Sequence, residues 1–265
     1  MYAPKPFLMP KLLKFLAFDT STDRMSVAVT DGVRVWQHSG PGGAQASTTL
    51  IPAILALLAE SGMALGEMDA IAFGRGPGSF TGLRTACAVA QGLAFGANHG
   101  AGIPVLPIDT LMAVAEEARF QQAGATASTD APLTIMALLD ARMDEMYVQS
   151  YEFNSGLCRS IKHCELIRPE NLVPEPSAQL LAGNVFGVYA GRLPAGLAAL
   201  PCVDAFPTAS ALLRLAPALA AAGQCVDAAL ALPLYVRDKV AQTTEERAQI
   251  KAQAALATAV VPVAG

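Results

Sequence analysis

Charged side chains are scarce in this chain: they fill 15% of its 265 positions, where an average domain gives them about a quarter. No basic block occurs and the formal net charge is -4, so the chain alone lacks the means to hold nucleic acid by neutralising phosphates. The five cysteines, Cys87, Cys158, Cys164, Cys202 and Cys225, form no CxxC pair. With His38, His99 and His163 they give no metal-ligand spacing, which argues against a metal centre. The pattern predicts reduced, mostly buried thiols, as in a cytoplasmic protein. Arg84, Gln91, Arg214 and Pro217 break the best apolar runs, so no membrane span is expected. The opening MYAPKPFLMPKLLKFLAFDT resembles an export signal only in part. Lys14 and Asp19 interrupt it, no small-residue cleavage site follows, and the chain continues as a strand pair.

Apolar residues, in contrast, make up 53% of the chain, more than a monomer of this size readily hides, so part of that surface is expected to meet a partner. The length allows two modest domains. LLKFLAF, SVAVT and VRVWQ read as three antiparallel strands, with Asp31 and Gly32 turning one hairpin. Helix, strand, helix, strand, helix follow: TTLIPAILALLAESG, capped by Ser47 or Thr48 and stopped by Gly62; DAIAF; TGLRTACAVAQGLAFGA; PVLPI; and TLMAVAEEARF, capped by Asp109 or Thr110. That order predicts a mixed sheet with parallel crossovers. QQAGATASTDA reads as a link. Beyond it LTIMALLD, EMYVQSYEF and CRSIKHCEL are strand-like, a helix starts at PEN, QLLAG is a strand, and ASALLRLAPALAAAG holds a helix. The second half reads as a worn copy of the first. The predicted divisions are 12–119, 130–240 and a tail, 241–265.

Residues 74 to 84, GRGPGSFTGLR, hold four glycines and a proline between a strand and a helix. A P-loop needs GxxxxGK[ST]; here there is no lysine, and Pro77 removes an N–H. The dinucleotide fingerprint fails too, because Ser79 stands where its third glycine belongs. Ser79 can cap the helix, or the helix start from Ser79 to Thr81 can accept an anion. GSFTG is not the GxSxG elbow, and Cys87 sits in an apolar helix with no histidine near it, so no catalytic residue is assigned.

Taken in order, LAFDTSTDRMSVAV, GRGPGSFTGLRTACAVAQGLAFG, LLDARMDEMYVQSY and PLYVRDKVA resemble the TsaB family of bacterial tRNA threonylcarbamoyladenosine biosynthesis proteins, over residues 12 to 241. The resemblance implies a two-domain actin-like ATPase fold of the ASKHA class. It implies a non-catalytic role as a partner of TsaD, the catalytic paralogue, in modifying tRNAs that read codons beginning with adenine. TsaE joins through the complex, TsaC makes the threonylcarbamoyl adenylate, and tRNA is met only through the complex. TsaD carries a metal-binding histidine pair after its glycine loop; here PIDTLMAVAEEA holds none, and neither a metal nor another cofactor is expected. Where relatives often carry a histidine before the first helix, this chain reads AQAST.

The turn DTSTDR offers Thr20, Ser21 and Thr22 but no glycine, so it wraps a phosphate poorly. Asp19, Thr20, Ser21, Ser79 and Thr81 are the weak candidates for cofactor contact. Asp19 can hold a magnesium through water or simply stabilise its turn. In DARMDEMY, Asp140, Asp144 and Glu145 crowd the second turn, with Arg142 expected to pair with one of them. Helix 81–97 shows Arg84 and Gln91 on one strip and apolar or small residues elsewhere, with Gly82, Ala86 and Ala90 every four residues. The preceding helix is oily in almost every direction. The partner-binding residues expected are Leu50, Ile51, Ile54, Leu58, Gly82, Leu83, Ala86, Ala90 and Leu93. The resemblance implies that these helices bundle with those of TsaD, or with a second copy when TsaD is absent. The competing class is a nucleotide-dependent kinase or ATPase of the same fold; a peptidase finds no residues to carry it.

Overall fold

The computed structural model describes residues 12–123, 132–197 and 199–237. The tail 241–265 and most of the link lie outside them. The first half runs β1 (Phe15–Asp19), β2 (Arg24–Thr30), β3 (Val35–Pro41), α1 (Ala46–Ser61), β4 (Ala70–Gly76), α2 (Phe80–Gly96), β5 (Val105–Asp109) and α3 (Thr110–Ala123). The second half runs β6 (Leu133–Asp140), β7 (Met146–Asn154), β8 (Leu157–Ser160), β9 (Glu165–Ile167), β10 (Leu180–Gly183), β11 (Cys202–Asp204) and α4 (Ala209–Ala221).

Two mixed sheets result. The first has the order β3-β2-β1-β4-β5, antiparallel through the opening meander and parallel from β1 to β5. The second has the order β11-β10-β6-β7-β8, with β9 also paired to β7. Strand alternation divides the first sheet's side chains between two cores. Leu16, Phe18, Val27, Ile71 and Phe73 face α1 and α2, while Phe15, Ala17, Ala28, Ala72 and Ile108 face α4 and α3. Thus α4, late in the sequence, covers the first sheet.

Several local expectations are corrected. Ser47 and Thr48 do not cap α1, which begins at Ala46; their hydroxyls donate back to the carbonyls of Ala44 and Gln45, each at 2.9 Å. Ser79 stands at the N-cap of α2 but makes no side-chain cap bond. PEN gives only a single 3-10 turn, since the following segment carries Pro174 and Pro176. CRSIKHCEL splits into β8 and β9, and β11 was not foreseen. Among the cysteines only Cys87 is fully buried, and Cys202 is exposed. Gly43–Ser61, with mean hydropathy 1.2, is long and apolar enough by composition to cross a membrane, against the sequence reading. Its apolarity has another account here, because Leu50, Ile54, Leu57 and Leu58 are buried in the core under the first sheet. Gly62 does end this helix, in the left-handed region at φ 71°.

Candidate functional site

The turn after β1 and the loop after β4 meet face to face. Three glycines spaced four apart make the contact possible. A Cβ at Gly74 would stand 1.7 Å from Asp19 Oδ2, one at Gly78 2.5 Å from the Ser21 carbonyl oxygen, and one at Gly82 1.9 Å from the Thr20 carbonyl oxygen. Only hydrogen fits at each. The two segments are also bonded: Ser79 N donates to the Ser21 carbonyl at 2.7 Å, and Thr20 Oγ1 donates to the Gly82 carbonyl at 2.7 Å.

Asp19 lies beneath this seam. Its Oδ1 accepts from Ser21 N at 2.8 Å and Ser21 Oγ at 2.6 Å, while Oδ2 is buried without a hydrogen-bond partner. Burial pushes its carboxyl up to about 6, opposed by the bonds from Ser21. Asp109 and Thr110 serve the glycine loop as well: Arg75 Nε donates to Asp109 Oδ1 at 2.6 Å, and Gly76 N donates to Thr110 Oγ1 at 3.2 Å.

This arrangement does not fit a nucleotide phosphate. Asp19, Thr20 and Ser21 are buried, the Thr20 and Ser21 hydroxyls are bonded within the seam, and the space each glycine leaves is taken by the turn itself. Ser79 and Thr81 are exposed, and of the two Ser79 touches the buried three, through its backbone N–H to the Ser21 carbonyl. Among the described residues no group of three acidic, histidine or cysteine side chains could hold a metal ion. In the second turn Arg142 Nε lies 3.8 Å from Asp140 Oδ2.

The residues expected to bind a partner divide by face. Leu50, Ile54, Leu58, Leu83, Ala86 and Ala90 are buried, Gly82 packs on Thr20, and Leu93 is half-buried against the same core. The seven buried ones are corrected to core positions, because the line of small residues faces inward and seats the chain's own neighbours, while Leu93 keeps part of its side chain exposed. Only Ile51 is exposed, at 44%, beside Leu55 at 56%. On α2 the outward line is Thr85, Ala88, Gly92 and Phe95, a 3-4-3 spacing in which Phe95 is 54% exposed and a Cβ at Gly92 would meet nothing. This face is an apolar ridge on α1 beside a groove of small residues on α2.

The polar strip of α2 has a different cover, which sequence reasoning missed. Cys87 Sγ and Gln91 Nε2 donate to the Ala231 carbonyl at 3.2 and 3.0 Å, and Arg84 Nε donates to Tyr235 Oη at 3.2 Å. The Phe80 and Tyr235 rings sit 5.4 Å apart, and Leu234 N donates to the Arg75 carbonyl at 2.7 Å. Residues 231–235 therefore strap α2 along the side that carries Arg84 and Gln91. The PLY of PLYVRDKVA was the available signal.

A family model described as TsaD, tRNA N6-adenosine threonylcarbamoyltransferase, matches residues 41–259. The tRNA threonylcarbamoyladenosine biosynthesis protein TsaB of Escherichia coli K12 is 31% identical over 237 residues, covering 86% of this chain and 96% of that protein. The protein of the same name from Haemophilus influenzae is 37% identical over 184 residues, covering 68% and 72%. Among solved structures, YeaZ from Pseudomonas aeruginosa is 38% identical with a TM-score of 0.73, covering 84% of this chain and 100% of that one. On matches of that extent, the chain belongs to the TsaB family.

Proposed function

We propose that this chain is a non-catalytic partner of TsaD in the formation of threonylcarbamoyladenosine beside the anticodon of tRNAs that read codons beginning with adenine. The observation that carries this reading is the outward apolar face of α1 and α2 on a chain whose relatives bear the name TsaB. Ile51 and Leu55 supply the ridge, and Ala88, Gly92 and Phe95 the groove. Covering one such large apolar side chain is worth about 1.5–3 kcal/mol before association costs. In this reading the chain has the actin-like fold in two related lobes, 12–119 and 130–240, and acts in the cytoplasm. It pairs with itself through the same helices when TsaD is absent, and reaches TsaE and tRNA through the complex.

The seam between the first turn and the glycine loop supports the accessory role, since the Thr20 and Ser21 hydroxyls and the Ser21 carbonyl are spent on the fold. The test is co-purification with TsaD, together with mass spectrometry of threonylcarbamoyladenosine in tRNA from cells whose sole copy is the variant Ile51→Glu/Leu55→Glu. Loss of the complex and of the modified nucleoside, with the chain folded, is the expected result. An undiminished complex overturns the assignment of the face. Micromolar binding of ATP and magnesium by the lone chain, followed by turnover, overturns the accessory role.

A further inference from the structure

Between α4 and the β2–β3 side of the first sheet lies a cavity of about 940 Å³, a size that suits a small molecule. Its cause is in the strands. On the face turned to α1, β2 carries Met25, Val27 and Val29, which fill the core. On the face turned to α4 it carries Ser26, Ala28 and Thr30, and β3 adds Gln37 and Ser39, which do not fill the space under a helix. Across from them Ser210, Leu213, Arg214 and Pro217, at i, i+3, i+4 and i+7, give the cavity one face of α4.

The acceptors around this cavity are taken, and several donors are not. Glu117 Oε2 accepts from Arg214 Nη2 and Thr208 Oγ1, and Gln37 Oε1 accepts from Ser210 Oγ. Ser26, 8% exposed, accepts from Ala209 N at 2.8 Å through its Oγ. Its own proton has no acceptor among the described residues, and neither have the Gln37 amide NH2 and Arg214 Nη1. Two of these donors lie together at the start of α4: Ser26 stands opposite Ser39 and Gln37 opposite Ala28, while Ser26 and Gln37 bond to the consecutive residues Ala209 and Ser210. The other end of the same strands is apolar, where Phe15 and Val35 flank Thr30 beneath Leu213 and Pro217. A ligand that suits both ends brings acceptors to the first and a hydrocarbon body to the second; a carboxylate has two acceptor oxygens and no donor. We propose that this cavity binds a small carboxylate with an apolar tail, its oxygens held by the Ser26 hydroxyl and the Gln37 amide, its tail along Phe15, Leu213 and Pro217. The site is on the opposite face of the first sheet from α1 and α2 and does not rest on the partner reading.

The probe is octanoate, titrated into the full chain by calorimetry and followed by saturation-transfer NMR, with octanol as the same tail without the carboxylate. Octanoate is expected to bind with a Kd below about 1 mM, and octanol at least about tenfold more weakly. Gln37→Leu removes the amide donor from an exposed strand position and is expected to weaken octanoate at least about tenfold. Ser39→Phe fills the cavity beside Ser26 and is expected to abolish binding. Both substitutions are expected to leave the melting temperature within a few degrees. No binding of octanoate up to about 1 mM, octanol binding as tightly as octanoate, or either folded variant binding octanoate like the wild type overturns the proposal.

Discussion

A methyl group added at Gly74 or Gly82 has nowhere to go. Gly74→Ala drives Cβ into the buried Asp19 carboxylate, and Gly82→Ala drives it into a backbone carbonyl, which cannot swing aside. Each is expected to cost about 3 kcal/mol or more in urea unfolding. Gly92→Ala, open on all sides in an exposed helical position, is expected to gain about 0.5–1 kcal/mol. Asp19 gives a second prediction at this scale. Its folded pKa is raised from 3.8 to about 6, so the native state binds the proton more tightly than the unfolded chain. Its contribution to stability is full below about pH 4, falls as pH rises through about 6, and is lost above that. Asp19→Asn is therefore expected to raise stability at pH 8 relative to wild type by up to about 3 kcal/mol, a gain that shrinks toward pH 4 in paired urea melts. The sequence displayed the glycines and the failed phosphate motifs. It could not display that positions 74, 78 and 82 lie over residues 19, 21 and 20, because that contact joins segments more than fifty residues apart.

Helices α1 and α2 were legible as helices, and as apolar on more than one side, from periodicity alone. Which side faces the sheet was not legible, since a helix oily all round carries no phase. The line Gly82, Ala86, Ala90 suited a docking helix and is used instead by the molecule's own core. Ala86→Glu, a buried charge without a partner, is accordingly expected to lose the fold, seen as a collapsed thermal transition. Gly92→Leu fills the outward groove. It is expected to leave the melting temperature within a few degrees while reducing TsaD capture by at least about tenfold. The polar strip of α2, Arg84 and Gln91, was seen in the sequence, but its partners Tyr235 and Ala231 lie 151 and 140 residues on.

Across the whole molecule, α3 is held to α4 by a buried charge cluster. Glu116, 3% exposed, accepts from Arg119 Nε at 2.7 Å, from Arg119 Nη2 at 2.9 Å and from Arg214 Nε at 2.7 Å. Glu117 Oε2 accepts from Arg214 Nη2 and Thr208 Oγ1, each at 2.7 Å. Arg214→Leu leaves two carboxylates short of a partner and is expected to cost about 3–5 kcal/mol, whereas Arg159→Leu, whose ion pair with Glu152 is largely exposed on the arginine side, is expected to cost under about 1 kcal/mol. Element order emerged well from local pattern. The return of α4 to the first sheet did not, because nothing in ASALLRLAPALAAAG names the surface it covers.

The strap at residues 231–235, the helix before it and the Val105↔Val226 bridge also bear on synthesis. The opening strands leave the ribosome early and α1 and α2 soon cover one of their faces, but α4, which covers the other, and the strap that fastens α2 emerge late. A nascent chain halted near position 200 would present one uncovered sheet face and an unfastened helix to the cell. Its first half cannot be completed ahead of its second, and a chaperone able to shelter such an intermediate would act until translation is almost done.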